Sequence, residues 1–363
     1  MLSNQVLQKT IQDMKEIIGV NCSIWSMEGR CLVTTGKADQ SQEQQVKRFL
    51  EEGREETCFL VKDGKEPVYI LRLEQMESEI EWKMAGRLGV SQLENLFQAY
   101  KERMDKNRFF QNLLLGRMLS VDIHNQAKKL NMEVETGRAV FLIEPKKESD
   151  SIVTETLKGL YATGTKDFVT SIDESHIILV KAIEKTEHYQ QLNEIAKTIV
   201  DTLNAEAMVN VRVAYGTIVS ELKEIPKSYR EAEMALDVGR IFYEEKNVLA
   251  YNELGIGRLI HQLPRSLCEM FLTEVFAGKA VEQFDEETLS TVAKFFENNL
   301  NISETARQLY VHRNTLVYRL EKIQKTTGLD VRVFEDALTF KIALMVADHV
   351  RFLQGRESVS CNP

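Results

Sequence analysis

The spacing of hydrophobic residues predicts α/β regions followed by an all-α region. Residues 6–18 place apolar side chains on one face of a helix, and residues 42–52 are predicted to form a second, polar helix. Short β-like runs meet at Glu28-Gly29 and at Asp63-Gly64, both typical of tight hairpin turns. This helix, hairpin, helix, hairpin order predicts a small α/β sensor domain of PAS or GAF type over residues 1–80. A dimerisation module without a ligand is the alternative.

Residues 81–136 are predicted to form a helical linker. Its seam positions repeat at alternating intervals of four and three residues, as in a heptad pattern. They are Leu93, Phe97, Tyr100, Met104, Asn107, Gln111 and Leu114. The pattern fits a parallel coiled coil between two copies of the chain, or one long helix packed on its own domain.

Residues 137–253 alternate between strand-like and helix-like patterns. Apolar β runs occupy 139–145, 176–182 and 209–215, with a short last strand at 247–251. Amphipathic helices occupy 191–204 and 228–240. This order predicts a second α/β domain, followed by a helical connector over residues 254–286.

Residues 301–328 read as two short helices joined by a tight turn. Asn301 can cap the first helix, and Glu304 three residues later fits a capping box. The second helix is predicted to begin at Arg313, with Leu316, Leu320 and Ile323 facing inward. The closing residue Gly328 suits a helix C-cap. Residues 333–353 form a further helix with apolar residues on most faces, which must be buried.

The outer face of this helix pair is polar and basic. Residues 301–326 contain five Lys or Arg and two Glu, a local net charge of +3. In a DNA-binding helix-turn-helix, the start of the second helix meets base edges while neighbouring groups hold phosphates. The candidate DNA-binding residues are Ser303, Thr305, His312, Arg313, Asn314, Thr315, Tyr318, Arg319 and Lys322. By shape alone, a helical hairpin with a solvated basic face fits equally well.

The run from Val311 to Leu320, VHRNTLVYRL, closely resembles the C-terminal helix-turn-helix of the bacterial PucR/CdaR family, regulators of purine-catabolism and sugar-diacid genes. The resemblance extends upstream to Leu289 and downstream to Leu329. It implies that residues 287–363 bind double-stranded DNA. Tyr310 departs from many helix-turn-helix turns, which carry glycine there; a left-handed backbone would cost about 1 kcal/mol.

The middle region resembles a GGDEF-type domain, most clearly in VRVAYG followed by SYREAEMAL. Cyclases of that type need a glycine pair in a hairpin to admit nucleotide phosphates. Here the hairpin from Ser171 to His176 reads SIDESH, and Glu144-Pro145 ends the first strand. We therefore expect no catalytic residues, no metal and no cofactor. The resemblance to the PucR/CdaR family implies that the domain is a spacer and dimerisation unit. The alternative is an enzyme or receptor of cyclic-dinucleotide signalling.

The family resemblance implies that the N-terminal domain senses a small-molecule effector, a sugar diacid in one branch. The family's usual His-Glu-Gly stretch is replaced here by QEQQVKRFLEEGREE. Arg48, Arg54 and Arg72 are candidate cationic donors for an anionic effector. Each can equally be a solvated surface charge.

The net charge bears on how the protein binds DNA, and the cysteine content bears on its cellular compartment. The net charge of −9 excludes general coating of nucleic acid, so DNA affinity must be local. One such motif covers few phosphates, which predicts a homodimer on an inverted repeat. Five scattered cysteines without C-x-x-C spacing suit a reducing cytosol. With no signal peptide or membrane span in the pattern, a cytoplasmic protein is expected.

Overall fold

The computed structural model describes residues 2–37, 39–53, 57–74, 79–146, 151–161, 166–173, 175–184, 189–276 and 284–360. The chain forms two compact units, Met1–Phe110 and Gln111–Pro363. The first contains one sheet, and the second contains another sheet together with the C-terminal helices. The predicted combination of α/β and all-α structure is therefore confirmed at this level.

The order of helices and hairpins predicted for the first unit is confirmed. Its elements are α1 (Asn4–Ile18), β1 (Cys22–Ser26), β2 (Cys31–Thr34), α2 (Gln40–Glu52), β3 (Cys58–Asp63), β4 (Glu66–Leu73) and α3 (Glu79–Leu114). Both hairpin turns contain a glycine at positive φ, 79° at Gly29 and 66° at Gly64. Glycine adopts this conformation without a Cβ clash, so these dipeptides set the turns.

The antiparallel strands lie in the order β2-β1-β4-β3, between helices on both faces. Successive residues of a strand point to opposite faces. Ile24 and Leu71 accordingly pack in the core with α1 and α3, whereas Trp25 and Ile70 pack in the smaller core with α2. The assignment to the PAS or GAF type stays a prediction.

Helix α3 lies close against the sheet because two of its residues lack side chains. A Cβ at Gly86 would lie 2.1 Å from the Phe59 ring, and one at Gly89 would lie 2.3 Å from the terminal methyl of Met14. These distances are far below van der Waals contact. The two glycines therefore set the distance between helix and sheet.

The first part of the predicted heptad seam belongs to the core of the first unit. Leu93 and Phe97 are buried there, and Tyr100 packs against the same cluster. The Phe97 ring lies 5.2 Å from the Tyr69 ring, centroid to centroid. Met104, in contrast, is exposed. Over residues 93–100 the structure thus agrees with one long helix packed on its own domain, and the coiled-coil interpretation is wrong there.

The second unit has a five-stranded sheet in the order β6-β7-β5-β8-β9, in which only β8 and β9 are parallel. Its first elements are α4 (Ser120–Lys129), β5 (Arg138–Pro145), α5 (Ser151–Tyr161), β6 (Phe168–Ser171), β7 (Ile177–Ala182), α6 (Tyr189–Glu206), β8 (Val211–Tyr215), α7 (Ile225–Phe242) and β9 (Val248–Ala250). The strands and helices predicted for this region are confirmed. Helix α4 lies within the region predicted as a helical linker, whereas the hydrophobic pattern missed α5 and β6.

Helices α5 and α6 share the main core of this sheet, while α7 packs closely on β5 and β8. A Cβ at Gly216 would lie 2.0 Å from the Ser228 carbonyl oxygen of α7. The buried Ser228 hydroxyl accepts from the Val140 amide at 3.1 Å and donates to the Thr217 carbonyl at 2.8 Å. These contacts hold α7 in place.

The predicted connector and C-terminal helices complete the second unit. They are α8 (Gly257–His261), α9 (Arg265–Val275), α10 (Glu286–Glu297), α11 (Ile302–Gln308), α12 (Arg313–Thr327) and α13 (Phe334–Ser360). Helix α13 buries Phe340 and Ala343 in a core shared with α10, α11 and α12, and buries Val346 and Val350 against α8 and α9. The prediction that this apolar helix must be buried is confirmed.

Candidate nucleic-acid interface

Helices α11 and α12 are built as the sequence predicts. The Asn301 side chain caps α11 by accepting from the Glu304 amide at 3.1 Å. The capping box is not completed, because the Glu304 carboxylate accepts from Arg307 and Gln308 instead. These bonds, that from Arg307 first, lower the pKa of Glu304 to about 2. Because both partners of the Glu304 carboxylate lie within α11, the carboxylate does not bond back to the Asn301 amide as a capping box requires.

The inner faces of the two helices form a continuous core. Leu316, Leu320 and Ile323 are fully buried, and Ala306 lies beside them. α12 ends at Gly328, whose φ is 84° and whose amide donates to the Gln324 carbonyl at 2.8 Å. The predicted start, stripe and end of the second helix are confirmed.

The first turn of α12 is open to solvent. Arg313, Asn314 and Thr315 are exposed, as are Ser303 and Tyr318. The Arg313 guanidinium donates from Nη1 to the Ser303 hydroxyl at 3.4 Å, which joins the starts of α11 and α12. The result is one polar surface at the position where a helix-turn-helix meets base edges.

His312 acts as the helix cap. Its Nδ1 accepts from the Asn314 amide at 3.2 Å, so one of the unpaired amides of the first turn is satisfied. The side chain remains exposed. It orients the start of α12 and leaves Nε2 at the surface.

Thr305 does not belong to this surface. Its side chain is fully buried, and its hydroxyl donates to the Asn301 carbonyl at 2.8 Å and accepts from Asn298 Nδ2 at 3.3 Å. The hydroxyl is therefore used inside the motif. The prediction of Thr305 as a DNA-binding residue is wrong, because its side chain is buried and bonded to Asn298 at the end of α10.

Arg319 and Lys322 are engaged by the preceding helix α10. Arg319 Nη1 donates to the Thr291 hydroxyl at 3.1 Å, and Nη2 pairs with the Glu287 carboxylate. The Lys322 ammonium pairs with Asp285, the residue that caps α10. The bond from Lys322 holds the pKa of Asp285 below its usual range. Sequence reasoning missed these acids, which lie more than thirty positions upstream.

The Glu144 carboxylate of the middle domain lies among basic side chains. The Glu144 carboxylate at the end of β5 is paired with Arg240, and Arg212 Nη1 lies 3.7 Å from its other oxygen. His176 Nε2 lies 3.9 Å from the same carboxylate, and its Nδ1 is 2.9 Å from Asp173. Two guanidinium groups thus lie beside the Glu144 carboxylate, which a divalent cation at this position would need as a ligand.

Among the residues that the structure describes, no three His, Cys, Asp or Glu side chains are grouped to hold a metal ion. Glu174, the remaining acid of the hairpin, lies outside the described residues. Over the same described part of the chain, none of the helices has the length and apolar content needed to cross a membrane.

The three arginines considered for an effector lie in different surroundings. Arg72 is buried in β4, and its Nε donates to Gln45 Oε1 of α2 at 2.9 Å. Arg48 is exposed on α2, and Arg54 lies outside the described residues. The buried amide oxygen Gln42 Oε1, three residues before Gln45, has no hydrogen-bond partner within the described part of the chain. The structure does not bring Arg48 and Arg72 together.

Comparison with known families assigns two parts of the chain. A family profile described as "PucR C-terminal helix-turn-helix domain" matches residues 288–346. A second profile, "GGDEF-like domain", matches residues 115–238. The chain has the PucR/CdaR domain architecture. The second match begins within the region predicted as linker, and the domain boundaries proposed from sequence remain predictions.

Several curated proteins are similar to this chain at low identity. The purine catabolism regulatory protein of Bacillus subtilis is 25% identical over 291 residues, 76% of this chain and 53% of the relative. The DNA-binding transcriptional activator AdeR of B. subtilis is 26% identical over 242 residues, 64% of this chain and 57% of that protein. The carbohydrate diacid regulator of Escherichia coli is 28% identical over 148 residues, 41% and 38% of the two chains. The chain spans little more than half the length of the first two relatives.

Proposed function

We propose that this protein is a DNA-binding transcriptional regulator. The observation that carries the proposal is the open first turn of α12, where Arg313, Asn314 and Thr315 are exposed on a buried and capped helix. Such a turn can enter the major groove as a rigid unit. Relatives named as regulators of purine catabolism and of carbohydrate diacids support the same class.

Within this interface, Arg313 and Asn314 are the proposed base-reading residues. Arginine binds guanine O6 and N7 with two hydrogen bonds, and asparagine does the same with adenine N6 and N7. Thr315 can contact a thymine methyl group or a phosphate. Ser303, His312, Tyr318 and Lys322 surround them and are proposed to contact the sugar-phosphate backbone, with Lys322 exchanging Asp285 for a phosphate.

The test is a binding titration with DNA from upstream of the protein's own gene, followed by fluorescence anisotropy between 50 and 200 mM salt, a range over which phosphate contacts lose much of their affinity. We expect an affinity that falls steeply with salt and is stronger for one sequence than for a shuffled duplex. Arg313→Ala should lower that preference at one base pair. Binding that is absent, or insensitive to salt and sequence, refutes the proposal.

We further propose that the active species is a homodimer on an inverted repeat. One copy of this small basic surface covers few phosphates, which supports only weak binding. The exposed apolar residues Val333, Phe334 and Leu338 near the start of α13 offer a contact between copies. Sedimentation of Phe334→Glu should give a lower mass than the wild type, with Glu335→Gln as the control. An unchanged mass would show that the contact between copies does not involve Phe334.

For the effector, we propose that Arg72 is the best of the three arginines. Its buried guanidinium donates from Nε to the neutral Gln45 amide oxygen, and a buried guanidinium favours an anionic partner. Calorimetry with candidate carboxylate metabolites would test this, with Arg72→Gln expected to abolish binding and exposed Arg48→Gln expected to retain it. Equal binding by both variants would exclude Arg72.

We propose that the middle domain is not an enzyme. The arginine pair around Glu144 supports this, since cations there disfavour a bound divalent metal. Incubation with GTP and Mg²⁺ or Mn²⁺ should give no cyclic dinucleotide. Product formed equally by wild type, Arg313→Ala and Glu144→Gln would implicate a contaminant, whereas product retained in Arg313→Ala and lost on Glu144→Gln would revive the signalling-enzyme alternative.

A further inference from the structure

Tyr310 combines a strained backbone with a side chain that does not pack against the protein. Its φ is 54°, in the left-handed region that residues with a Cβ rarely adopt. Its side chain is 96% exposed. It occupies the turn between α11 and α12, two residues before the cap His312.

The strain of this backbone is not offset by packing of the ring. A left-handed conformation is unfavourable for a tyrosine, and glycine would adopt it freely. A ring buried against α11 or α12 could compensate, but this ring lies in solvent. Strained residues with no intramolecular compensation cluster at functional sites. The ring is thus exposed for contact with a partner of the folded chain.

We infer that Tyr310 contacts the sugar-phosphate backbone of DNA beside the recognition helix. This inference rests on the proposed function, since it assigns a residue to the same interface. The start of α12 is the part that enters the groove, so a side chain two residues before the cap is held at the groove edge. A phenol donates one hydrogen bond to a phosphate oxygen, and the exposed turn presents it outward.

The proposed contact from the Tyr310 hydroxyl carries no charge, so its effect on DNA binding can be distinguished from that of the Lys and Arg side chains. Each Lys or Arg that binds a phosphate releases counterions and contributes to the salt dependence of affinity. A tyrosine hydroxyl adds affinity without changing that dependence. It also reads no base, so its effect should be equal on every sequence.

The experiment uses the full chain with a mixed-sequence DNA duplex and compares Tyr310→Gly, Tyr310→Phe and wild type. Tyr310→Gly should raise the melting midpoint by about 2–4 °C, because it removes the strain. It should also weaken DNA binding by about 3- to 10-fold at every salt concentration. Tyr310→Phe should weaken binding by a similar factor while leaving the melting midpoint unchanged.

Met208→Gly is the matched control. Met208 also has a positive φ, 53°, and is 89% exposed, but it follows α6, outside the helix-turn-helix. Its replacement should raise the melting midpoint and leave DNA binding unchanged. The pair of glycine variants thus separates relief of strain from loss of a contact.

Three outcomes would overturn the inference. One is wild-type affinity in both Tyr310 variants. Another is a lower sedimentation mass of Tyr310→Gly without DNA, which would assign the ring to a contact between protein copies. The third is a wild-type protein that binds no duplex, and this result alone would also remove the proposed function.

Discussion

Replacing Arg319 by methionine tests whether this arginine positions the recognition helix or binds a phosphate. Methionine keeps an unbranched apolar side chain and removes the charge and the donors. In the structure Arg319 bridges α12 to α10 through the buried Thr291 hydroxyl, at 3.1 Å, and through the exposed Glu287 carboxylate. We therefore expect the variant to lose stability, and to lose DNA affinity only as far as the helix shifts.

The magnitude follows from the two contacts. A hydrogen bond from a charged donor to a buried hydroxyl contributes about 1.5–3 kcal/mol, and the remaining access of water to Arg319 places it at the lower end. The ion pair to an exposed glutamate adds about 0–1 kcal/mol. A loss of about 1.5–2.5 kcal/mol should lower the melting midpoint by about 3–10 °C.

Lys325→Met is the matched control. Lys325 is exposed on the same helix, so its replacement removes an equal charge without breaking the bridge to α10. Calorimetry should show destabilisation only in Arg319→Met. A double-mutant cycle with Thr291→Val should give a coupling energy between the two residues.

The salt dependence of DNA binding decides between the two roles. If Arg319 positions α12, the slope of log affinity against log salt should match that of the control. If Arg319 binds a phosphate directly, the slope should shrink by about 0.9 relative to the control. A smaller slope together with wild-type stability would refute the positioning role.

Three further predictions concern the core, the base contacts and pH. Gly86→Ala should destabilise the N-terminal unit by about 1–3 kcal/mol in urea titration, since its Cβ would overlap the Phe59 ring; wild-type stability would contradict the close packing of α3. Arg313→Ala should cost about 1–3 kcal/mol on the preferred DNA sequence and less on a shuffled one, as measured by anisotropy; equal losses on both would exclude base reading. Burial, and next the neighbouring His261, lower the pKa of His349 in the native state, so the protein should keep its stability above about pH 6.5 and lose stability as the pH falls below that value. His349→Leu should reduce this loss. Urea midpoints at about pH 7.5 and about pH 5.5, one unit either side of the free imidazole value, would measure it.

The sequence by itself determined the local structure of the C-terminal motif. Asn301, Gly328 and the stripe that contains Leu316 act within one or two helical turns, so their roles follow from spacing alone. The two hairpin turns of the N-terminal unit were predicted from Gly29 and Gly64 for the same reason. The left-handed backbone that the sequence analysis considered for Tyr310 is present in the structure, with φ at 54°.

Tertiary structure alone decided which polar residues remain available for binding. Thr305 and Arg319 look like surface residues in the sequence, yet α10 covers the first and engages the second. The same holds for Glu144, which two distant arginines surround, and for Phe97, whose heptad position is used by an intramolecular sheet. Periodicity shows which side of a helix is apolar, but hydrogen bonds and ion pairs depend on which elements meet in space, and that is set by the packing of segments far apart in the chain.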